Sequence, residues 1–364
     1  MTTATLSQGA EPSIERLSPA PKVTGLAATA TVAAVAMLLF IGVLAGVVVP
    51  GTAFGLWFTV LGYASAAACL FFAVRALGLA IKSSREQQAG EVLRARKLAA
   101  DSRDQSFVAL GFVMTLVVVV ALIALITMNN AAVAKTFFQW ELMKKSFFDV
   151  VKAFGLNIFM AVVAQILVMI LGLVLAIGRM LPGRAGKPIR ALAIAYIDVM
   201  RAVPAIIVLY LVGFGLPLAG IPVLSGFSPV WFAIIALTLT YGAYVAEIFR
   251  VGIEQIHPSQ SAASRSLGFS YGQTLRYVIL PQAFKAVTPM LLTSFIGLQK
   301  DTSLVNIIGT VDAFNQAKFY ASSAFNLSSV TVVAILFIII TIPQTRVADW
   351  MLERSKNASG RGSK

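Results

Sequence analysis

The chain is poor in the residues that build disulfides and metal centres. Its 364 residues include one cysteine, Cys69, and one histidine, His257. A single cysteine cannot form an intrachain disulfide, and a single histidine cannot assemble a metal site alone. We therefore predict no disulfide framework and no metal site, and we interpret His257 as a surface loop residue.

A motif for nucleotide hydrolysis is also missing. The basic turn at residues 179–190 contains the sequence GRAGK. A phosphate-binding loop needs wider glycine spacing and a Ser or Thr where Pro188 stands. Since no other sequence of this type occurs in the chain, we predict that it is not an ATPase and binds no cofactor of its own.

Charged residues are scarce, at 12% of the chain against 58% hydrophobic residues, and the mean hydropathy is +0.86. This composition excludes a soluble globular domain and indicates a polytopic membrane protein. We predict an all-α fold with about eight transmembrane helices. The spans are residues 23–49, 54–81, 107–128, 152–177, 191–218 (broken at Arg201 and Pro204), 228–256, 286–309 and 328–350.

The spans divide the chain into five segments. Residues 1–22 are expected to form a disordered tail, and residues 23–106 a two-helix hairpin followed by a charged, helical linker. Residues 107–150 are expected to form an extra transmembrane helix and an amphipathic helix at the membrane interface. Residues 151–354 are the main membrane core, and residues 355–364 are a second tail.

The 29 Lys and Arg residues orient the chain in the membrane. Although the net charge is +14, very few of these residues lie in segments on the side opposite the termini, namely Lys135, Lys144, Lys145 and Lys318. By the positive-inside rule, both termini and the long loop before the seventh span are predicted to be cytoplasmic. The positive charge thus indicates orientation, not nucleic-acid binding.

The loop between the sixth and seventh spans carries the clearest local signals. Pro258 suits the first position of a short helix, and Gly268 suits the cap at its C-terminus. Ser270 and Gln273 have the spacing of a capping box, ahead of a second helix that Pro281 is expected to end. Two short helices would also fit a DNA-binding helix-turn-helix. Apolar spans on both sides exclude that function.

This loop, together with LPQA at residues 280–283 and KDTSL at residues 300–304, resembles the permease subunit of polar amino-acid ATP-binding-cassette (ABC) importers, the glutamate/glutamine/histidine permease family. The resemblance implies a five-helix permease core with a cytoplasmic coupling helix in the loop. The chain departs from the family at residues 262–264, where Ala-Ala-Ser replaces the usual Glu-Ala-Ala. The implied ATPase-docking residues are Pro258, Gln260, Ala262, Ala263, Ser264, Arg265, Leu267 and Gly268.

The same resemblance implies the partners and the location. They are a second permease subunit, identical or different, a pair of ATPase subunits that hold ATP and Mg, and an extracytoplasmic amino-acid-binding protein. The protein is expected to lie in lipid in the plasma membrane of a bacterium, without nucleic acid, and to work by alternating access.

Ionisable residues at membrane depth predict the substrate path. Asp301, Thr302 and Ser303 favour helix N-caps, so the seventh span is expected to break there and restart with free N–H groups that bind an anionic group. The predicted path residues are Arg201, Glu247, Lys300, Asp301, Thr302 and Ser303. Because Arg201 and Lys300 are cations, we expect glutamate or another acidic or amide amino acid as the substrate.

Other interpretations of these residues stay open. Asp198 with Arg201, and Glu247 with Arg250, are three residues apart and could form purely structural ion pairs. An ion-coupled transporter could use Asp198, Glu247 and Asp301 as cation or proton sites, but it should show an inverted repeat, and none is visible. A membrane-anchored sensor or scaffold would leave the long loop without a role.

Overall fold

The structure, a computed structural model, describes residues 18–46, 53–224 and 226–360. Within those ranges all regular secondary structure is helical, as predicted. Most of the predicted tail at residues 1–22, and the last residues of the tail at 355–364, lie outside the described residues. The helices in chain order are α1 (Thr24–Ala45), α2 (Ala53–Gln88), α3 (Val92–Phe137), α4 (Trp140–Arg179), α5 (Lys187–Ala202), α6 (Ala205–Leu218), α7 (Pro229–Glu254), α8 (Pro258–Ser266), α9 (Tyr271–Thr274), α10 (Leu280–Asp301), α11 (Ala313–Ala324) and α12 (Ser328–Gly360).

The predicted number of membrane spans is confirmed for the described residues. Seven helices are long and apolar enough to cross a membrane, and the bent pair α5 and α6 brings the number to eight if it is counted as one span. The pair bends by 103° where Val203 and Pro204 separate the two helices. Proline has no N–H and keeps the preceding residue out of the helical region, so the bend lies where the sequence places it.

Contacts group the chain into two units, residues 1–135 and 136–364. The first unit contains a long hairpin of α2 and α3, with Gly90 at φ +86° in its turn. Two serines join the helices, since Ser83 Oγ donates to the carbonyl of Ala95 (2.7 Å) and Ser102 Oγ to that of Ala76 (2.8 Å). The predicted charged linker is therefore the end of a helical hairpin.

The second unit is built on the contact between α4 and α7. A Cβ atom at Gly172 would lie 2.7 Å from the Val245 side chain and 3.1 Å from the backbone nitrogen of Ala246. A Cβ atom at Gly242 would lie 2.6 Å from the side chain of Leu171. Glycines allow transmembrane helices to approach this closely. The two helices thus form the scaffold of this unit.

The predicted amphipathic helix over residues 129–150 is wrong as a separate element. Helix α3 continues to Phe137, and α4 begins at Trp140 and runs unbroken to Arg179. Leu142, Ser146 and Val150 are buried at a spacing of four residues. One face of this stretch therefore packs on the protein, and its periodicity belongs to the start of α4.

Candidate functional site

A cavity of about 460 Å³ lies between the corner of α5 and α6, helix α7 and helix α10. Three of the predicted path residues, Arg201, Glu247 and Asp301, line it. They come from three different helices, so the fold brings together charges that are far apart in the sequence. The other polar groups in the wall are Thr240, Tyr241, Tyr244, Thr293 and Ser294.

Glu247 is surrounded by arginines. Arg250 Nε donates to Glu247 Oε2 at 2.9 Å, and Arg179, at the end of α4, donates to Glu247 Oε1. Arg201 is farther away, with its Nη1 atom 3.9 Å from the same oxygen. The Glu247 side chain is 15% exposed, and a carboxylate that is largely removed from solvent is tolerated when it is paired in this way. Arg179 and Arg250 therefore satisfy the charge of Glu247.

Arg201 is the cation that lines the cavity, and its ion pair with Glu247 is long. Its side chain is 44% exposed, and its guanidinium carbon lies 5.9 Å from the centroid of the Tyr244 ring. An aromatic face stabilises a cation without neutralising it. No ion pair joins Arg201 to Asp198, although the structure describes both residues. The purely structural pairing of these two residues is not observed.

Asp301 contributes a second carboxylate to the cavity wall. Its Oδ2 atom accepts a hydrogen bond of 2.9 Å from the Tyr241 hydroxyl. Helix α10 ends here and tightens directly into a 3₁₀ segment, Thr302–Ile308, while the Thr302 N–H still donates to the carbonyl of Leu298. The helix changes where we predicted, but the predicted restart with free N–H groups is wrong, because the hydrogen bonding continues.

The remaining three predicted path residues do not line this cavity. Lys300 is exposed, and Ser303 Oγ donates to the Lys300 carbonyl at 2.8 Å. Thr302 is fully buried, and its Oγ1 atom accepts from Asn157 Nδ2 at 3.1 Å. Thr302 therefore has a structural partner within the described core.

Asn157 is the centre of a buried polar cluster. Its Nδ2 atom also donates to Asp312 Oδ2 (3.0 Å), and its Oδ1 atom accepts from the Ala313 N–H (3.0 Å). Burial raises the pKa of Asp312 above its ordinary value, although the hydrogen bonds from Asn157 and from the backbone of Asn315 oppose the shift. The cluster fixes α4 against the beginning of α11.

Sequence reasoning missed the hydroxyl groups of the cavity. Thr240, Tyr244 and Glu247 follow one another at spacings of four and three residues, which places them on one face of α7. That spacing could have indicated that Thr240 and Tyr244 share a helix face with Glu247. Thr240 is 2% exposed, and its hydroxyl has no hydrogen-bond partner among the residues that the structure describes.

Helix α8 has the predicted caps. Pro258 is its first residue, and His257 precedes it as an N-cap that accepts from the Ser259 N–H (3.2 Å), a role that we did not predict. Gly268 has φ +88°. Its N–H donates to the carbonyl of Arg265 (3.0 Å), as in a Schellman motif.

The second short helix begins as predicted but does not end at Pro281. The Gln273 N–H donates to Ser270 Oγ (3.3 Å), and the Ser270 N–H donates to Gln273 Oε1 (2.8 Å), which completes the capping box. A π-helical turn, Leu275–Ile279, then leads directly into α10. Pro281 lies in the first turn of α10, where its missing N–H is not needed.

Of the predicted docking residues, Ser264 is buried, and its Oγ atom lies 3.0 Å from Thr274 Oγ1. Ser264 thereby fastens α8 to α9. Leu267 is 80% exposed at the end of α8. The other exposed members of the set are Pro258, Gln260, Ala262, Ala263, Arg265 and Gly268.

Comparison with known proteins shows which family this chain resembles. Residues 169–356 match the family described as "Binding-protein-dependent transport system inner membrane component". The chain is 35% identical over 218 residues to "Probable amino-acid permease protein YxeN" of Bacillus subtilis. This alignment covers 60% of this chain and 95% of the relative. It is 34% identical over 169 residues to "Probable glutamine ABC transporter permease protein GlnM" of Bacillus subtilis, with coverage of 46% and 76%.

A third relative is "Glutamate/aspartate import permease protein GltK" of Escherichia coli O6:H1, which is 32% identical over 185 residues, with coverage of 50% and 81%. The family match includes the whole cavity and α8. The resemblance that we inferred from the coupling loop is confirmed, and so is the prediction that the chain is not an enzyme, since a separate ATPase subunit hydrolyses ATP. The chain belongs to the binding-protein-dependent inner membrane components and is a permease subunit of the polar amino-acid ABC importers.

Proposed function

We propose that the cavity between Arg201 and Asp301 is the substrate path of this importer. The observation that carries the proposal is the pair of opposite charges in the wall of one cavity. An amino acid has a carboxylate, which a guanidinium binds through charge-assisted hydrogen bonds, and an ammonium group, which needs an acceptor. Arg201 supplies the donors and Asp301 the acceptor.

The proposed substrate is glutamate or a related acidic or amide amino acid. Lys300, the second cation from which we expected this class, does not line the cavity, so the class is supported by similarity to relatives. The names of two relatives, one for glutamine and one for glutamate and aspartate, fall within it.

We further propose that α8 transmits the work of an ATPase pair to the cavity. Helix α8 follows α7 after three residues and leads through α9 into α10, and both α7 and α10 line the cavity. A force on the exposed residues of α8 would therefore reach the substrate through the chain itself. The ATPases would hold ATP and Mg, and this chain would bind no cofactor.

The rest of the assembly follows from this role. A second permease subunit would complete the pathway, and an extracytoplasmic binding protein would deliver the amino acid. The termini and α8 would face the cytoplasm of a bacterium, in agreement with the distribution of Lys and Arg.

Uptake by reconstituted vesicles tests the proposed function. The chain is purified with the subunits that copurify with it, and uptake of labelled glutamine and glutamate is measured with and without ATP. We expect uptake only when both ATP and the ATPase are present. Uptake driven by an ion gradient in vesicles without an ATPase would refute the proposal and favour an ion-coupled transporter.

A further inference from the structure

A second cavity, of about 380 Å³, lies in the second unit between the beginnings of α4 and α12. Its wall consists of Trp140, Met143, Lys144, Phe147 and Phe148 from α4 and of four aliphatic residues between Val332 and Ile339 of α12. Within the described part of the chain, no residue of this wall lines the cavity of the proposed substrate path. We call this cavity the α4–α12 groove, and its role is independent of the proposed function.

Two hydrogen bonds hold the beginnings of these helices side by side. The Gln139 N–H, just before α4, donates to Ser328 Oγ at the start of α12 (2.8 Å), and the Leu327 N–H donates to the carbonyl of Thr136 (2.9 Å). Both helices are apolar enough to cross a membrane. The groove lies roughly 6 to 16 Å along α12 from its first residue, and the hydrocarbon core is about 30 Å thick. The groove therefore runs from the membrane interface into one leaflet.

The groove combines an apolar wall with one cation at its outer end. Lys144 is exposed, and among the described residues it forms no ion pair, although Glu141 lies one turn before it. Trp140 is 69% exposed beside it. A tryptophan ring and a lysine ammonium group both prefer the level of the lipid headgroups, and the lysine stem can lie along apolar surface to reach them. The groove thus offers an unpaired positive charge at headgroup level above an apolar wall.

A phospholipid has the complementary distribution of polarity, with an anionic phosphate above its acyl chains. Lipid chains are as apolar as the groove wall, so the transfer of a chain from bilayer to groove has no hydrophobic driving force. The charge therefore decides which lipid is retained, and one lysine near the membrane surface favours an anionic lipid about fivefold. An apolar protein helix in the groove would leave the Lys144 ammonium group without an anion. Charge complementarity thus favours a lipid as the occupant.

We infer that the α4–α12 groove is a binding site for an anionic phospholipid such as phosphatidylglycerol. One acyl chain lies in the groove between Phe147 of α4 and Ile335 of α12, and the headgroup pairs with Lys144. The site bridges two membrane helices that otherwise meet at this level through the hydrogen bonds of Gln139 and Leu327.

Trp140 lies in the groove wall, so its fluorescence reports on the occupant. The other three tryptophans, Trp57, Trp231 and Trp350, are replaced by Phe, and the full chain is placed in phosphatidylcholine nanodiscs. A small fraction of the lipid is then exchanged for phosphatidylglycerol or phosphatidylcholine with brominated acyl chains, because bromine quenches tryptophan on contact. We expect brominated phosphatidylglycerol to quench Trp140 as strongly as a roughly fivefold higher fraction of brominated phosphatidylcholine. Equal quenching by equal fractions of the two lipids would overturn the inference.

Charge reversal tests the role of Lys144. Lys144→Glu should abolish the preference for phosphatidylglycerol, because a carboxylate at the groove repels the phosphate. Lys145→Glu is the matched control, since Lys145 is an exposed neighbour of the same charge that does not line the groove. Lys145→Glu should keep most of the preference. An equal loss in both variants would show a general surface attraction and would overturn the assignment of the site.

A larger side chain in the groove tests where the acyl chain lies. Ile335 lines the groove and is 38% exposed, so Ile335→Phe has room and should displace the chain and reduce the quenching of Trp140. Ile338→Phe is the control, because Ile338 is 53% exposed on the same helix outside the groove lining. Parental quenching in Ile335→Phe would contradict a chain in the groove. If neither brominated lipid quenches Trp140 in the parent, protein covers the groove and the inference is overturned.

Discussion

Substitution of Gly268 tests how α8 is held for docking. Gly268 has φ +88°, and no atom lies within 4 Å of where its Cβ atom would be. A side chain therefore has room, and only the backbone conformation opposes it. An L-residue in the left-handed region costs about 1–2 kcal/mol relative to glycine, and a β-branched residue costs more.

This free-energy cost predicts how far each substitution shifts α8 away from its capped conformation. A free-energy change of about 1.4 kcal/mol is tenfold in an equilibrium constant, so Gly268→Ala should lower the ratio of capped to uncapped α8 about 5- to 30-fold, and Gly268→Val should lower it further. Substrate-stimulated ATPase activity of the assembled complex is the measurement. We expect Gly268→Val to lower it more than Ala262→Glu, because Ala262 is exposed on the helix.

Gly272 provides the matched control. It lies in α9, also has open space at its Cβ position, and lacks a positive φ. Gly272→Ala should therefore be neutral or slightly stabilising. If Gly268→Val assembles and keeps full stimulated ATPase activity, the capped short helix does not transmit the motion and the reasoning is refuted.

Three further predictions concern the rest of the chain. Arg201→Ala and Asp301→Ala should each raise the half-saturation concentration for uptake roughly tenfold or more, because each loses a hydrogen bond to a charged group of the substrate. Lys318→Ala is the control and should leave this concentration unchanged. If both variants assemble and show parental uptake kinetics, the substrate does not pass these residues. Deleting residues 1–81 removes two spans and preserves the orientation of the rest, so the complex should still assemble and transport; an assembled but inactive complex would contradict this. Asn157→Leu should destabilise the chain by roughly 3–5 kcal/mol, because a buried carboxylate and a backbone N–H lose their partners; a parental thermal-unfolding temperature in nanodiscs would refute it.

Local features of the fold were predictable where a few neighbouring residues decide the backbone. Pro204, Gly268 and the pair Ser270 and Gln273 each impose a conformation through their own covalent structure or hydrogen bonds. The bend, the cap and the capping box therefore appear as predicted. The prediction at Pro281 was wrong because proline is tolerated in the first turn of a helix, where its missing N–H is not needed.

The composition of the cavity was harder to predict because it depends on packing between helices. Charged residues in apolar spans attract attention, but Thr240 and Tyr241 do not, since hydroxyls are common in membrane helices and often bond their own backbone. Lys300 also shows that a charged residue within an apolar span need not line the cavity. It neighbours Asp301 in the sequence, yet only Asp301 lines the cavity, because adjacent helical residues point about 100° apart.

The close contact of Gly172 and Gly242 has a mechanical consequence. At that crossing the side chains of each helix pack against a glycine of the other, so sliding or rolling would force atoms together and we expect α4 and α7 to move together. The bond between Arg179 of α4 and Glu247 of α7 joins these two helices and would travel with them unchanged. Arg201 belongs to α5, a separate helix, so a movement of α5 relative to α7 would change the distance of 3.9 Å between Arg201 and Glu247. The guanidinium would then alternate between the carboxylate of the protein and that of its cargo.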